Sequence, residues 1–84
     1  MRTARKKKSL PKPEAKLDLH GFTVEIAYGQ VAGFLSRSKD RGLAVVEIVT
    51  GKSGRIRYEF PFWIENLGHR AIVSSHGGSF VVYI

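Results

Sequence analysis

Residues 48–57 read IVTGKSGRIR, and how this stretch is read decides the architecture. A strand-like apolar run breaks into Gly-Lys-Ser, which is how a nucleotide-binding phosphate loop ends. That loop, G-x-x-x-x-G-K-[ST], needs a glycine five positions before Gly51. Val46 stands there instead, inside the run LAVVEIV at residues 43–49. A β-branched residue at that point belongs in a strand, so the backbone that wraps a triphosphate is missing. No nucleotide cofactor is expected. What survives is a glycine-bounded turn carrying Lys52, Arg55 and Arg57 between a strand and a helix. A helix start presents N–H groups and the positive end of its dipole to an anion, which suits a single phosphate.

Working outward, LAVVEIV is continuous enough for a central strand buried on both sides or nearly so. Upstream, residues 16–20 (KLDLH) alternate polar and apolar, as a strand with one covered face does. Thr23 is a suitable helix N-cap with Glu25 in the first turn, and the apolar positions from Val24 to Leu35 recur at helical spacing. That helix is expected to reach about Arg41 and stop at Gly42. Downstream, a helix starts near Gly54, and Pro61 is expected to break it near Phe60 and begin a second helix that ends at Gly68. Residues 70–75 and 79–84 read as strands joined by the turn His76-Gly77-Gly78. Phe60, Phe62, Trp63 and Phe80 read as core; an exposed aromatic would suggest base stacking instead. Strands alternating with helices imply a parallel core built by right-handed crossovers, with an antiparallel final strand and helices on one face.

Eighty-four residues with 43% hydrophobic content suit one small domain with a two-layer core and little room for a large enclosed cofactor. Without cysteine, disulfides and Cys-based zinc sites are excluded, and His20, His69 and His76 lack paired zinc spacing. No apolar run approaches the roughly 18 residues of a membrane span, so no membrane partner is expected. The basic start lacks an apolar signal segment, which makes a cytoplasmic setting the expectation. The net charge of +7 is unevenly divided. Arg2, Arg5, Lys6, Lys7, Lys8 and Lys12 meet no acid before residue 14, whereas the remainder sets eight Lys/Arg against seven Asp/Glu. Residues 1–15 therefore read as a basic flexible arm and residues 16–84 as the folded domain. The arm is either a solvated tail or a grip on a phosphate backbone.

Leu17 and Leu19 should face the helices, which puts Asp18 and His20 on the opposite face at the carboxyl end of the first strand. Thr50 ends the next strand. Ligands of open α/β sheets gather outside such carboxyl ends. If the two strands are neighbours, a carboxylate, an imidazole and a cationic turn converge there. Imidazoles move protons near neutral pH, so His20 is a candidate general base. Asp18 is a candidate to orient His20, to accept a proton, or to hold a hard cation such as Mg²⁺. Thr50, Gly51, Lys52, Gly54, Arg55 and Arg57 are the candidate phosphate seat, and His76 a candidate lining residue. Plainer roles stand beside these: Asp18 capping its turn, His20 fixing the strand–helix corner, His76 as a turn residue, the cations as ordinary surface charge.

Leu17-Asp18-Leu19-His20-Gly21 resembles the LDLHG motif of the Smr (small MutS-related) domain family. Val49-Thr50-Gly51-Lys52 is similar to its glycine turn, and Gly54-Arg55-Ile56-Arg57 with Phe60-Pro61-Phe62-Trp63-Ile64 to its following helix. His76-Gly77-Gly78 with Val81-Val82-Tyr83-Ile84 resembles its final hairpin. The resemblance covers residues 16–84. It implies an α+β, two-layer βαβαββ sandwich with a four-stranded mixed sheet, similar to the C-terminal domain of translation initiation factor three. It also implies nucleic-acid binding, endonuclease activity on DNA or RNA in several members, and in some a role at the ribosome. By position, Asp18 and His20 take the acid-and-histidine motif. Ser53 departs from the family's usual glycine, and Thr50 from the histidine of many members.

Overall fold

The computed structural model describes residues 11–84. The elements run β1 (Lys16–Asp18), α1 (Val24–Asp40), β2 (Val45–Val49), α2 (Arg55–Asn66), β3 (Arg70–Val73) and β4 (Ser79–Tyr83). They form one four-stranded sheet in the order β1-β2-β4-β3. β1 lies parallel to β2 with Asp18 opposite Val49, while β4 runs antiparallel to both β2 and β3. The sheet is thus mixed, the last strand entering between β2 and β3. The architecture is the expected α+β two-layer sandwich.

Both helices pack on one face. Ala27, Val31 and Leu35 from α1 and Phe60, Trp63 and Ile64 from α2 meet Leu19, Val46, Ile48, Phe80 and Val82 in a single core. Thr23 caps α1 as expected, its Oγ1 accepting from Ile26 N at 3.2 Å. On the other face lie Lys16, Asp18, Glu47, Val49 and Ser79, by the sheet register. β2 is central, but only its Val46 and Ile48 side is fully covered; Val45, Glu47 and Val49 are half-buried.

Three expectations are corrected. Pro61 does not break the chain: α2 is one helix with Pro61 inside it. Pro61 removes one backbone donor, yet Phe60 on one side and Trp63 and Ile64 on the other are buried by one continuous helix. The second correction follows. In an unbroken helix of 3.6 residues per turn, Phe62 points away from Phe60, and it is 55% exposed, not core. The third is that β1 stops at Asp18 instead of reaching residue 20. Leu19 N still donates to Val49 O, but Phe22 N then turns back to Leu19 O at 3.2 Å.

At the start of the domain, pairing reaches into the segment expected as arm. Glu14 N donates to Val45 O, and Glu47 N to Ala15 O. The Glu14 carboxylate also accepts from Ala44 N at 2.7 Å and Val45 N at 3.1 Å. These two donors hold its pKa below the ordinary glutamate value. Arg2, Arg5, Lys6, Lys7 and Lys8 lie outside the described residues.

Candidate functional site

Parallel pairing of β1 with β2 brings their carboxyl ends together, and the two turns that follow form a double cleft. On one side, Asp18, His20, Val49, Thr50 and Gly51 line a cleft of about 290 Å³. On the other, His20 and Thr50 are joined by Gly21, Phe22 and Thr23 from the start of α1 and by Ser53, Gly54, Arg55 and Ile56 from the start of α2. His20 and Thr50 border both. Asp18, His20, Gly51 and Gly54 are exposed to water. The acid, the imidazole and the glycine turn thus converge where the sequence placed them.

Each group has a local cause. Asp18 Oδ1 accepts from His20 N at 2.9 Å. One carboxylate oxygen is therefore spent on the turn that aims His20, as the plainer reading held. The His20 ring makes no hydrogen bond to another described residue, and the residue is exposed. Thr50 Oγ1 donates to Gly51 O at 2.9 Å. Thr50 N and Gly51 N both donate to Gly78 O at 3.0 Å. Those two N–H groups are turned to the hairpin and do not serve an anion.

The open donors lie further on, at the start of α2. Gly54 caps that helix at φ 97°, a conformation that favours glycine, with no side-chain cap and no acid in the first turn. The first intrahelical bond runs from Tyr58 N to Gly54 O. The N–H groups of Arg55, Ile56 and Arg57 precede it and carry the positive end of the helix dipole. The open donors thus face the part of the cleft lined by Ser53, Gly54, Arg55 and Ile56. Ser53 fits between Gly51 and Gly54 because its backbone, unlike theirs, is not at positive φ. The sequence reading left Ser53 out of the seat.

The cations divide. Arg55 reaches outward and pairs with Glu59 at 2.8 Å, which raises its already high pKa. Arg57 is part of the fold: its Nε donates to Gly77 O at 3.2 Å and its guanidinium lies 4.8 Å from the Phe80 ring centre. It lines neither cleft. Lys52 is exposed, its stem beside Gly78; a Cβ on Gly78 would stand 3.5 Å from Lys52 Cγ and 3.2 Å from His76 Nδ1.

His76 does not line the double cleft. Its Nδ1 accepts from Gly78 N at 3.1 Å, so Nε2 carries the proton and donates to Ser74 Oγ at 3.1 Å. Behind it, the fully buried Ser79 donates to Glu47 Oε2 at 2.7 Å and lies 3.1 Å from Ser74 Oγ. Glu47 and Ser79, unmarked by any local motif, meet through the β2–β4 pairing.

Among the described residues, no three His, Asp or Glu side chains come together to cage a metal. Among the described residues that line the two clefts, Asp18 is the one carboxylate. This donor set fits Mg²⁺ only as an ion shared with substrate phosphates and water. Among the described residues no helix is long and apolar enough to cross a membrane.

The sequence profile of the Smr domain matches residues 17–84. A relative from Treponema pallidum (strain Nichols), described as an uncharacterized protein, is 43% identical over 51 residues, covering 61% of this chain and 25% of its own. No solved structure matches. Both clefts, the seat at the start of α2 and the closing hairpin all fall inside the matched region, and the chain belongs to the Smr domain family, whose members generally bind nucleic acid and are often nuclease-related.

Proposed function

We propose that this domain binds nucleic acid and cleaves its phosphodiester backbone at the double cleft. The observation that carries the reading is the position of His20: solvent-open and shared by the Asp18 cleft and the uncapped start of α2. The backbone phosphate sits at Ser53, Gly54 and Arg55, where N–H groups and the dipole take its charge. Arg55 keeps its Nε and Nη2 bonds to Glu59 and turns its remaining guanidinium N–H donors to a phosphate oxygen. Asp18 holds the turn that presents His20. Arg2, Arg5, Lys6, Lys7 and Lys8 supply salt-dependent grip on neighbouring phosphates.

On RNA, His20 removes the proton of the 2′-hydroxyl. The freed oxygen attacks phosphorus, the bond to the 5′-oxygen breaks, and that oxygen takes a proton from water in the open cleft. On DNA the attacking group is water, and Mg²⁺ shared between Asp18 and phosphate would supply charge stabilisation. Turnover on structured RNA and nicked-circle DNA, followed by end analysis of the products, tests the reading. A 2′,3′-cyclic phosphate marks internal attack; a 5′-phosphate marks activated water. Asp18→Asn and His20→Ala cleaving as fast as the unaltered chain would remove both residues from the mechanism.

A second reading is a binding module on nucleic acid or the ribosome without catalysis. It is favoured by the Asp18 oxygen engaged with His20 N and by Thr50 standing where many relatives have a second imidazole. It predicts salt-sensitive association and no product with any divalent ion.

A further inference from the structure

α2 buries Phe60, Trp63 and Ile64 and turns a second stripe outward. At 3.6 residues per turn, Arg55, Tyr58, Glu59 and Phe62 share that outer stripe. Tyr58 is 72% and Phe62 55% exposed, the highest values for large apolar side chains among the described residues. Their ring centres lie 6.0 Å apart with the planes tilted by 53°. Single exposed apolar residues are ordinary on a protein surface. Two adjacent exposed aromatic rings are a different object, because each has a π-face on which a base can stack.

Their position says what would cover them. Tyr58 lies one helical turn, and Phe62 two, from the end where Gly54 and Arg55 seat a phosphate. Glu59, the acid between the rings, is already neutralised by Arg55 at 2.8 Å. A strand anchored by one phosphate at the helix start carries its neighbouring bases along this stripe. We propose that Tyr58 and Phe62 form a stacking platform for unpaired bases of a nucleic-acid strand held at the Arg55 corner. The inference rests on the phosphate seat of the proposed function and adds the substrate class: single-stranded or locally opened nucleic acid. Bases locked in a duplex cannot present their faces to the rings, whereas every unpaired base has a face to stack.

The test uses the full chain and fluorescence anisotropy with three labelled probes of equal length: a base-bearing single strand, an abasic strand and a blunt duplex. The unaltered chain is expected to prefer the base-bearing strand over the abasic one by about tenfold to a hundredfold. The double variant Tyr58→Leu with Phe62→Leu keeps apolar area and removes the flat faces. It is expected to lose that preference while binding the abasic strand and the duplex as before. A double variant that retains the preference overturns the proposal. Equal binding of both single strands by the unaltered chain also overturns it, while leaving nucleic-acid binding intact. If the double variant instead abolishes a concentration-dependent dimer and leaves oligonucleotide affinity unchanged, the rings serve a second copy of the chain and the proposal fails. Absence of binding to every probe removes the proposed function, and this inference with it.

Discussion

Two histidines sit at the same end of the sheet and have opposite surroundings. His76 has both ring nitrogens engaged, one by Gly78 N and one by Ser74 Oγ. His20 has its backbone N–H fixed by Asp18 and its ring free of described partners. The neighbouring arginines differ in the same direction: Arg57 ties α2 to the hairpin, while the exposed Arg55 pairs only within its own helix, with Glu59, among the described residues. A polar group whose hydrogen bonds are complete holds shape; one aimed by its neighbours but left open is available to a ligand. By that contrast the hairpin corner reads as scaffold, and the double cleft is where the proposed function puts its ligand. The two are linked, since Gly78 O takes the N–H groups of Thr50 and Gly51 and so sets the turn that leads to the seat.

The sharpest way to break this contrast is to exchange the two imidazoles for alanine. His20→Ala should slow cleavage by about a hundredfold to ten-thousandfold, the usual contribution of a general base, without lowering the melting temperature. His76→Ala should do the reverse, lowering stability by about 1 kcal/mol in denaturant titration and changing the rate by little. Next in size, Ser79→Ala leaves the half-buried Glu47 carboxylate without its buried donor, an expected loss of about 1–3 kcal/mol by thermal or chemical unfolding. Ser53→Ala, at the open seat, should leave the unfolding midpoint in place.

The arginines give a smaller version of the same test. Arg57→Ala should destabilise by about 1–2 kcal/mol, through the lost Gly77 bond and the lost contact with Phe80. Arg55→Ala should leave stability alone and weaken oligonucleotide binding several-fold in anisotropy. The smallest effect belongs to Glu14, whose pKa is depressed by the Ala44 and Val45 N–H groups. A depressed carboxyl contributes stability that is present above its unfolded value and is lost as pH falls through the folded one. The stability gap between the unaltered chain and Glu14→Gln should thus be present near neutrality and shrink below about pH 4. Unfolding midpoints measured across that range check it.

Much of this was legible because it is local. The period of two at Leu17 and Leu19, the Thr23 cap and the glycine turn after Val49 each carry a short-range cause, and together they placed His20 beside Thr50. Pro61 misled because its cost is local while its compensation is not: Phe60, Trp63 and Ile64 reward a continuous helix only against the sheet. The exposure of Phe62 was hidden by the same error, since it depends on the helical phase continuing through Pro61. The partner of Glu47 could not be read at all. Ser79 is distant in sequence and meets it only through strand register. The engagement of the Thr50 and Gly51 N–H groups by Gly78 O was likewise invisible, so the candidate seat, which ran from Thr50 to Arg57, counted two donors that the hairpin already holds.

The central claim is that ligand meets the open cleft and not the satisfied hairpin, and amide-resolved NMR during titration with a short single-stranded oligonucleotide tests it most directly. The account predicts the largest shifts at His20 and at Ser53, Gly54, Arg55 and Ile56, with Ser74, His76 and Ser79 nearly still. Shifts concentrated on the hairpin while His20 and the start of α2 stay unmoved would contradict it.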